Sequence, residues 1–255
     1  MAHPTGAASR IGWQLASFFL FFGLWELAGR WPVSAAFPPF SHTLAGLFEM
    51  LSDGSLGKAY WLTLQPLAIG IVLCGLAGIG FGIGMGLSRA IEWLSLPVFI
   101  ILQAAPMAAI IPLITYVYGI GLTSKVLAVI MLALPVIAMN SFRAVRNVSP
   151  SLVDMCRSFM GSRRQQIVQV ILPAASPMMF AGIRLGVAEG FSGVVLAELL
   201  ITPTGIGDLI TYNRSVARFD AMYAAIVSIV LFAVIAVTLL HRLETVLFRP
   251  ERSTP

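Results

Sequence analysis

Residues 221–240 read AMYAAIVSIVLFAVIAVTLL, twenty consecutive residues without a charge. A helix needs about 20 largely apolar residues to cross a bilayer core, and this stretch supplies them unaided. Asp220 is placed to N-cap it, and His241-Arg242 flank the far end. Outward from this run, comparable apolar segments occupy roughly 11–29, 61–87, 94–118, 123–140 and 178–200, so about six spans are expected. Composition agrees: the chain of 255 residues is 58% hydrophobic and only 11% charged, against about 25% charged in an ordinary soluble domain. So little charge could not cover a soluble surface of this size, and it excludes disorder for the same reason. The expected fold class is all-α, a polytopic membrane protein.

Charge placement gives an orientation. With the N-terminus inside, the inner set is Arg10, Arg89, Arg143, Arg146, Arg157, Arg163, Arg164, Arg242, Arg249 and Arg252. The outer set is Arg30, Lys58, Lys125, Arg214 and Arg218, and Arg184 falls within a span. The excess puts both termini in the cytoplasm and the basic 141–177 loop with them. The net charge of +5 follows from this placement, so nucleic acid is not implied. The first apolar run resembles a signal peptide, but Glu26 interrupts it and Ala28-Gly29-Arg30 is a poor cleavage site, so it is read as a retained span. Cys74 and Cys156 offer neither a disulfide framework nor metal spacing, and no metal site is expected.

Two spans carry small residues every fourth position: Gly70, Cys74, Gly78, Gly82 and Gly86 in one, Gly182, Gly186 and Gly190 in the other. Such stripes let helix backbones approach closely in lipid, either within one bundle or across a dimer seam. The fifth span also holds three ionisable residues. Arg184 and Glu198 lie near its ends, about 21 Å apart along a helix, and are expected to snorkel to the interfaces, with roles at the pathway mouths as the alternative. Glu189 lies near mid-span, where an acid costs about 3 kcal/mol. It reads either as a pathway residue for a cationic or donor-rich substrate, or as a protonated carboxyl bonded to Ser192 or to a neighbouring copy.

Residues 141–177, SFRAVRNVSPSLVDMCRSFMGSRRQQIVQVILPAASP, are too long for a simple connection and too well punctuated for a structureless one. Ser149-Pro150 marks a helix start, and Gly161 suits a left-handed stop. Ser162-Arg163-Arg164-Gln165 is a capping box that opens a second short helix, with Pro173 at its end or at its junction with the next span. Two short helices meeting at a sharp basic turn would present a knob to another protein, or lie on anionic lipid.

This segment resembles the cytoplasmic signature loop of permease subunits of bacterial ATP-binding-cassette importers, whose pattern is Glu-Ala-Ala, three residues, Gly, nine residues, Ile, one residue, Leu-Pro. Here the pattern reads Asp154-Met155-Cys156, Met160, Val170 and Leu172-Pro173. The sulfonate/nitrate/taurine branch is further resembled at Ala174 to Pro177, Ala181 to Arg184, Pro106 to Gly121, Ser124-Lys125-Val126, Ala197-Glu198 and Gly205-Ile206-Gly207. The chain departs from the pattern at Asp154, Met155, Cys156 and Met160, with Gly161 one residue late, and at Glu189, where the branch usually has an apolar residue.

The resemblance implies a type I importer permease. Its coupling helices lie between spans 4 and 5, and Asp154, Cys156, Arg157, Met160, Gly161, Ser162, Arg163, Leu172 and Pro173 face an ATPase. It implies a second permease copy, two ATP-binding-cassette ATPase subunits that bind ATP and Mg, an extracytoplasmic substrate-binding protein, and residence in the inner membrane. Residues 1–56 would hold the first helix and an extracytoplasmic segment, 57–248 the core permease, and 249–255 a cytoplasmic tail. The chain has no GxxxxGK[ST] loop, so it is not expected to hydrolyse ATP. The alternative, an ion-gradient-driven secondary transporter, would be expected to show inverted repeats or broken helices about midplane charges. An intramembrane enzyme is disfavoured because His3, His42 and His241 lie outside the spans and no HExxH occurs.

Overall fold

The computed structural model describes residues 7–31, 34, 36–201 and 203–248, with side chains from Gly12 onward. The expectations for the 249–255 tail, and for the charges of Arg10, Arg249 and Arg252, lie outside the described residues. In chain order the helices are α1 (Ala7–Arg30), α2 (Phe40–Ser52), α3 (Ser55–Leu87), α4 (Arg89–Ala104), α5 (Met107–Tyr118), α6 (Leu122–Arg146) and α7 (Pro150–Ser158). After these come the single turn α8 (Arg163–Gln165), a π-helical turn over Gln166–Ile171, α9 (Leu172–Leu200), α10 (Ile206–Ser215) and α11 (Phe219–Leu247).

Four of these are long and apolar enough to span a bilayer: α3, α6, the continuous rod Arg163–Leu200, and α11. The expected third span is a pair, α4 and α5, bent by 101° at Ala105-Pro106, which makes a fifth span if counted as one. A residue before proline is pushed out of the helical region, and Ala105 is extended (φ −69°, ψ 136°). The expected first span lies on α1, whose 24 residues include Gln14 and Glu26 and which is not among the four. Asp220 sits inside the first turn of α11 rather than capping it; an acid there still meets the positive end of the helix dipole.

The chain divides into two units, residues 1–58 with 209–229, and residues 59–208 with 230–255. In the first, the Trp25 indole donates to the Pro38 carbonyl at 3.2 Å. Trp25 also stacks with Phe37 and meets Phe40 and Tyr223. Glu26 pairs with Arg30 and accepts from the Ser41 backbone N–H, while Arg218 pairs with Glu49 at 3.1 Å.

The second unit is built on α6. A Cβ placed on Gly70, Gly78, Gly82 or Gly86 of α3 would strike Val129, Ile137, Ser141 or Val145 of α6 respectively. Both series ascend together, so α3 and α6 run parallel, and residues 89–118 must carry the chain back across the membrane between them. On an adjoining face, Gly182, Gly186, Gly190 and Gly193 of α9 face Asn140, Ile137, Ala133 and Ala128, which makes α9 antiparallel to α6. Helix α6 thus packs against two glycine-lined neighbours, which also meet each other at Gly190 and Ile71, close enough for dispersion contacts to hold them where no hydrophobic effect operates.

Candidate functional site

The 147–173 elbow follows from local sequence chemistry. Pro150 opens α7 at its first position, while the Ser149 hydroxyl bonds Ser151 rather than a backbone N–H. At the far end the Met160 N–H donates to the Arg157 carbonyl at 2.8 Å, and the Gly161 N–H donates to the Cys156 carbonyl at 2.9 Å. These two bonds define a Schellman turn. Its left-handed position is Met160 (φ 57°), one residue before the glycine expected there. Gly161 is needed for a different reason: a Cβ on it would come within 2.8 Å of the Cys156 carbonyl oxygen.

Ser162 then closes a reciprocal capping box with Gln165. The second short helix does not stop at Pro173. The Leu172 N–H reaches back to the Ile167 carbonyl, a widened turn that eases the clash a proline ring makes with the preceding turn. The rod therefore runs unbroken into α9, so force applied at the elbow acts on a transmembrane helix directly. Leu172 packs on the cluster of Ala144, Val145, Ala175 and Met179. Asp154, Arg157, Ser162, Arg163 and Pro173 are exposed, and Asp154 pairs with Arg157 at 3.2 Å. Phe159 and Met160 project at the tip, 82% and 95% exposed.

A second cluster corrects the expectation for two charges. Lys125, counted among the outward loop charges, and Glu198, expected to snorkel, are both buried, with Nζ 2.7 Å from Oε1. Lys125 also donates to the Thr204 carbonyl at 3.0 Å, and Glu198 accepts from the Gly207 N–H at 3.1 Å. The Thr63 hydroxyl lies 3.0 Å from both carboxylate oxygens and accepts from the Ile206 N–H. Gly205 (φ 93°) leaves no room for a Cβ against the carboxylate. Segment 124–126 thus joins 197–198 and 205–207, about 70 residues later in the sequence, in one buried site, and Thr63, unmarked by any motif, completes it. Burying an ion pair is expensive unless its remaining valences are filled, and here backbone and hydroxyl fill them.

Arg184 does not snorkel either. It pairs with Glu244 of α11 at 3.0 Å and contacts His241. Ser192 donates to the Ala188 carbonyl, so it does not hold the Glu189 carboxyl. Glu189 itself lines a cavity of about 350 Å³ with Leu102, Gln103, Met107, Met131, Leu132, Pro135 and Val136. The structure therefore does not gather Arg184, Glu189, Ser192 and Glu198 into one place: two are locked in ion pairs, and Glu189 faces a cavity.

Residues 77–249 match the family described as binding-protein-dependent transport system inner membrane component. The chain is 30% identical over 230 residues to the aliphatic sulfonates transport permease protein SsuC of Bacillus subtilis (strain 168), covering 89% of this chain and 82% of the relative. It is 29% identical over 218 residues to the taurine transport system permease protein TauC of Escherichia coli (strain K12), covering 83% and 78%. Among solved structures, the inward-facing MetNI methionine ABC transporter shares the fold with a TM-score of 0.66 at 17% identity, covering 76% of this chain and 96% of that one. The elbow, the spans around α6 and these likenesses lead to one identification: the chain belongs to the inner-membrane permeases of binding-protein-dependent, ATP-driven importers.

Proposed function

We propose that this permease works as one of two copies around a shared pathway, with both termini in the cytoplasm. An ATPase subunit, which carries the ATP and Mg, docks on each 150–173 elbow. An extracytoplasmic binding protein delivers a small polar organic solute or ion. Closure of the ATPase pair pushes on α7, and the unbroken Arg163–Leu200 rod passes the displacement into the bundle around α6. Work is transmitted only if the elbow contacts open and closed ATPases differently.

The observation that carries this reading is the elbow itself. Phe159 and Met160 are fully presented on a turn held by a Schellman motif on one side and a capping box on the other. Two large apolar side chains on a rigid, basic knob suit insertion into a groove of a partner protein. Phe159→Asp with Met160→Asp is expected to weaken co-purification of the ATPase subunit at least about tenfold, or ~1.4 kcal/mol, and to uncouple ATP hydrolysis from uptake. Solute movement by the permease alone in vesicles, without an ATPase or ATP, would overturn the reading. The ion-gradient alternative draws no support from the family or the relatives.

A further inference from the structure

Glu189 lies eleven residues before the outer end of α9 at Leu200, about 16 Å along the axis. That is mid-depth in a hydrocarbon core about 30 Å thick. The two other ionisable residues of this helix are neutralised, Arg184 by Glu244 and Glu198 by Lys125. Glu189 is exposed, and among the described residues it has neither an ion pair nor a hydrogen bond. An acid at this depth is costly against acyl chains; such residues almost always face the bundle interior or a water-filled cavity.

Here a cavity of about 350 Å³ stands against it, within the size range of small-molecule sites. The facing wall includes Leu102 and Gln103, in the last turn of α4, and Met107, the first residue of α5. A helix end presents carbonyls without intrahelical partners and carries the negative end of the dipole. The first turn of α5 begins at Met107 on the same wall and brings the positive end of its own dipole to the break, so the net negative charge of the cavity rests on Glu189. Carbonyl ends of broken helices opening on a mid-membrane cavity are a recurring way to coordinate a cation. Met131 and Pro135 give the remaining surface an apolar, polarisable character.

We propose that this cavity is a cargo subsite for an ammonium group. Glu189 supplies the charge, the Gln103 side-chain amide and the carbonyl end of α4 supply acceptors, and the Met107 and Met131 side chains contact alkyl substituents. The subsite rests on the permease reading and goes beyond it by selecting solutes that carry a positive group over purely anionic ones.

The test uses the purified permease–ATPase complex in maltoside detergent. A hydrophobic carbodiimide labels accessible carboxyls, and the rate at Glu189 is followed by mass spectrometry. The probes are choline and taurine, which carry an ammonium group, and isethionate, in which a hydroxyl replaces the ammonium of taurine. Choline and taurine at millimolar concentration are expected to slow labelling of Glu189 at least threefold, with isethionate having no effect. Glu189→Gln should remove the label while the complex still assembles. Absence of labelling at Glu189, protection by none of the probes, or equal protection by isethionate would overturn the subsite. ATPase retention and ATP hydrolysis, measured on the same preparation, separate the two readings. If they persist without ammonium protection only the subsite falls; if the ATPase never associates, the permease reading beneath it fails.

Discussion

Met160 holds the left-handed position of the elbow with a full side chain, a conformation that costs an L-residue about 1–2 kcal/mol. The side chain that bears this cost is also the most exposed apolar group of the tip. Met160→Gly should relieve roughly 1 kcal/mol of strain, slowing amide exchange at Met160 and Gly161 about fivefold while weakening ATPase association. Unchanged exchange would mean the turn is not strained there. At the other end of the molecule's polarity scale, Lys125 and Glu198 neutralise each other out of water. Lys125→Met leaves a buried carboxylate unpaired and should cost about 3–5 kcal/mol, seen as a drop in the thermal midpoint of the detergent-solubilised protein. Adding Glu198→Gln should restore part of that loss because no bare charge remains; strictly additive losses would sink the pairing.

At the scale of elements, the glycine spacing on α3 decides how near α6 can come. A Cβ on Gly82 would collide with Ser141 and lie 2.7 Å from the Ala138 carbonyl oxygen, whereas one on Gly80 would meet nothing within 4 Å. Gly82→Ala should therefore cost about 1–3 kcal/mol by overpacking, while Gly80→Ala should be neutral or up to ~1 kcal/mol stabilising through helix propensity. Thermal stability of the pair in detergent separates the two, and equal shifts would mean α3 does not pack on α6 in this register. The stripes were legible in the sequence as periodicity. Their partner was not, because α6 presents Val129, Ile137, Ser141 and Val145 without any small-residue signature. The bend between α4 and α5 was hidden for a related reason: the run 94–118 is largely apolar and uncharged, and hydropathy does not register that the chain turns by 101° at Ala105-Pro106.

For the whole molecule, the parallel pairing of α3 with α6 places Leu87 and Arg146 at the same end of the second unit, where Arg146 pairs with Glu92 at 3.0 Å. Arg89, Arg143 and the elbow lie at that end too, the concentration of positive charge on which the proposed cytoplasmic placement rests. Its burial against Glu198 takes Lys125 out of the loop charges that the sequence count assigned to the outer side. The two free cysteines supply a test without engineering: Cys74 is buried in α3, and Cys156 is partly accessible at the elbow. A membrane-impermeant maleimide should label Cys156 in inverted vesicles and not in right-side-out ones, and a docked ATPase should suppress the labelling. Labelling from the extracytoplasmic side would reverse the orientation.

Hydrophobic run length, loop charge and turn chemistry are properties of neighbouring residues, and for that reason the sequence by itself determined the all-helical membrane class, the proline start of α7 and the Ser162 capping box, although the left-handed stop fell on Met160 rather than Gly161. Residues 73 positions apart become partners only when helices pack, so the burial of Lys125 against Glu198, with Thr63 and the 204–207 backbone filling their valences, was decided by tertiary structure alone. The same holds for Glu189: sequence shows an acid at mid-span, but only the packing of α4, α5 and α6 around it sets a cavity rather than a counter-charge against the carboxylate.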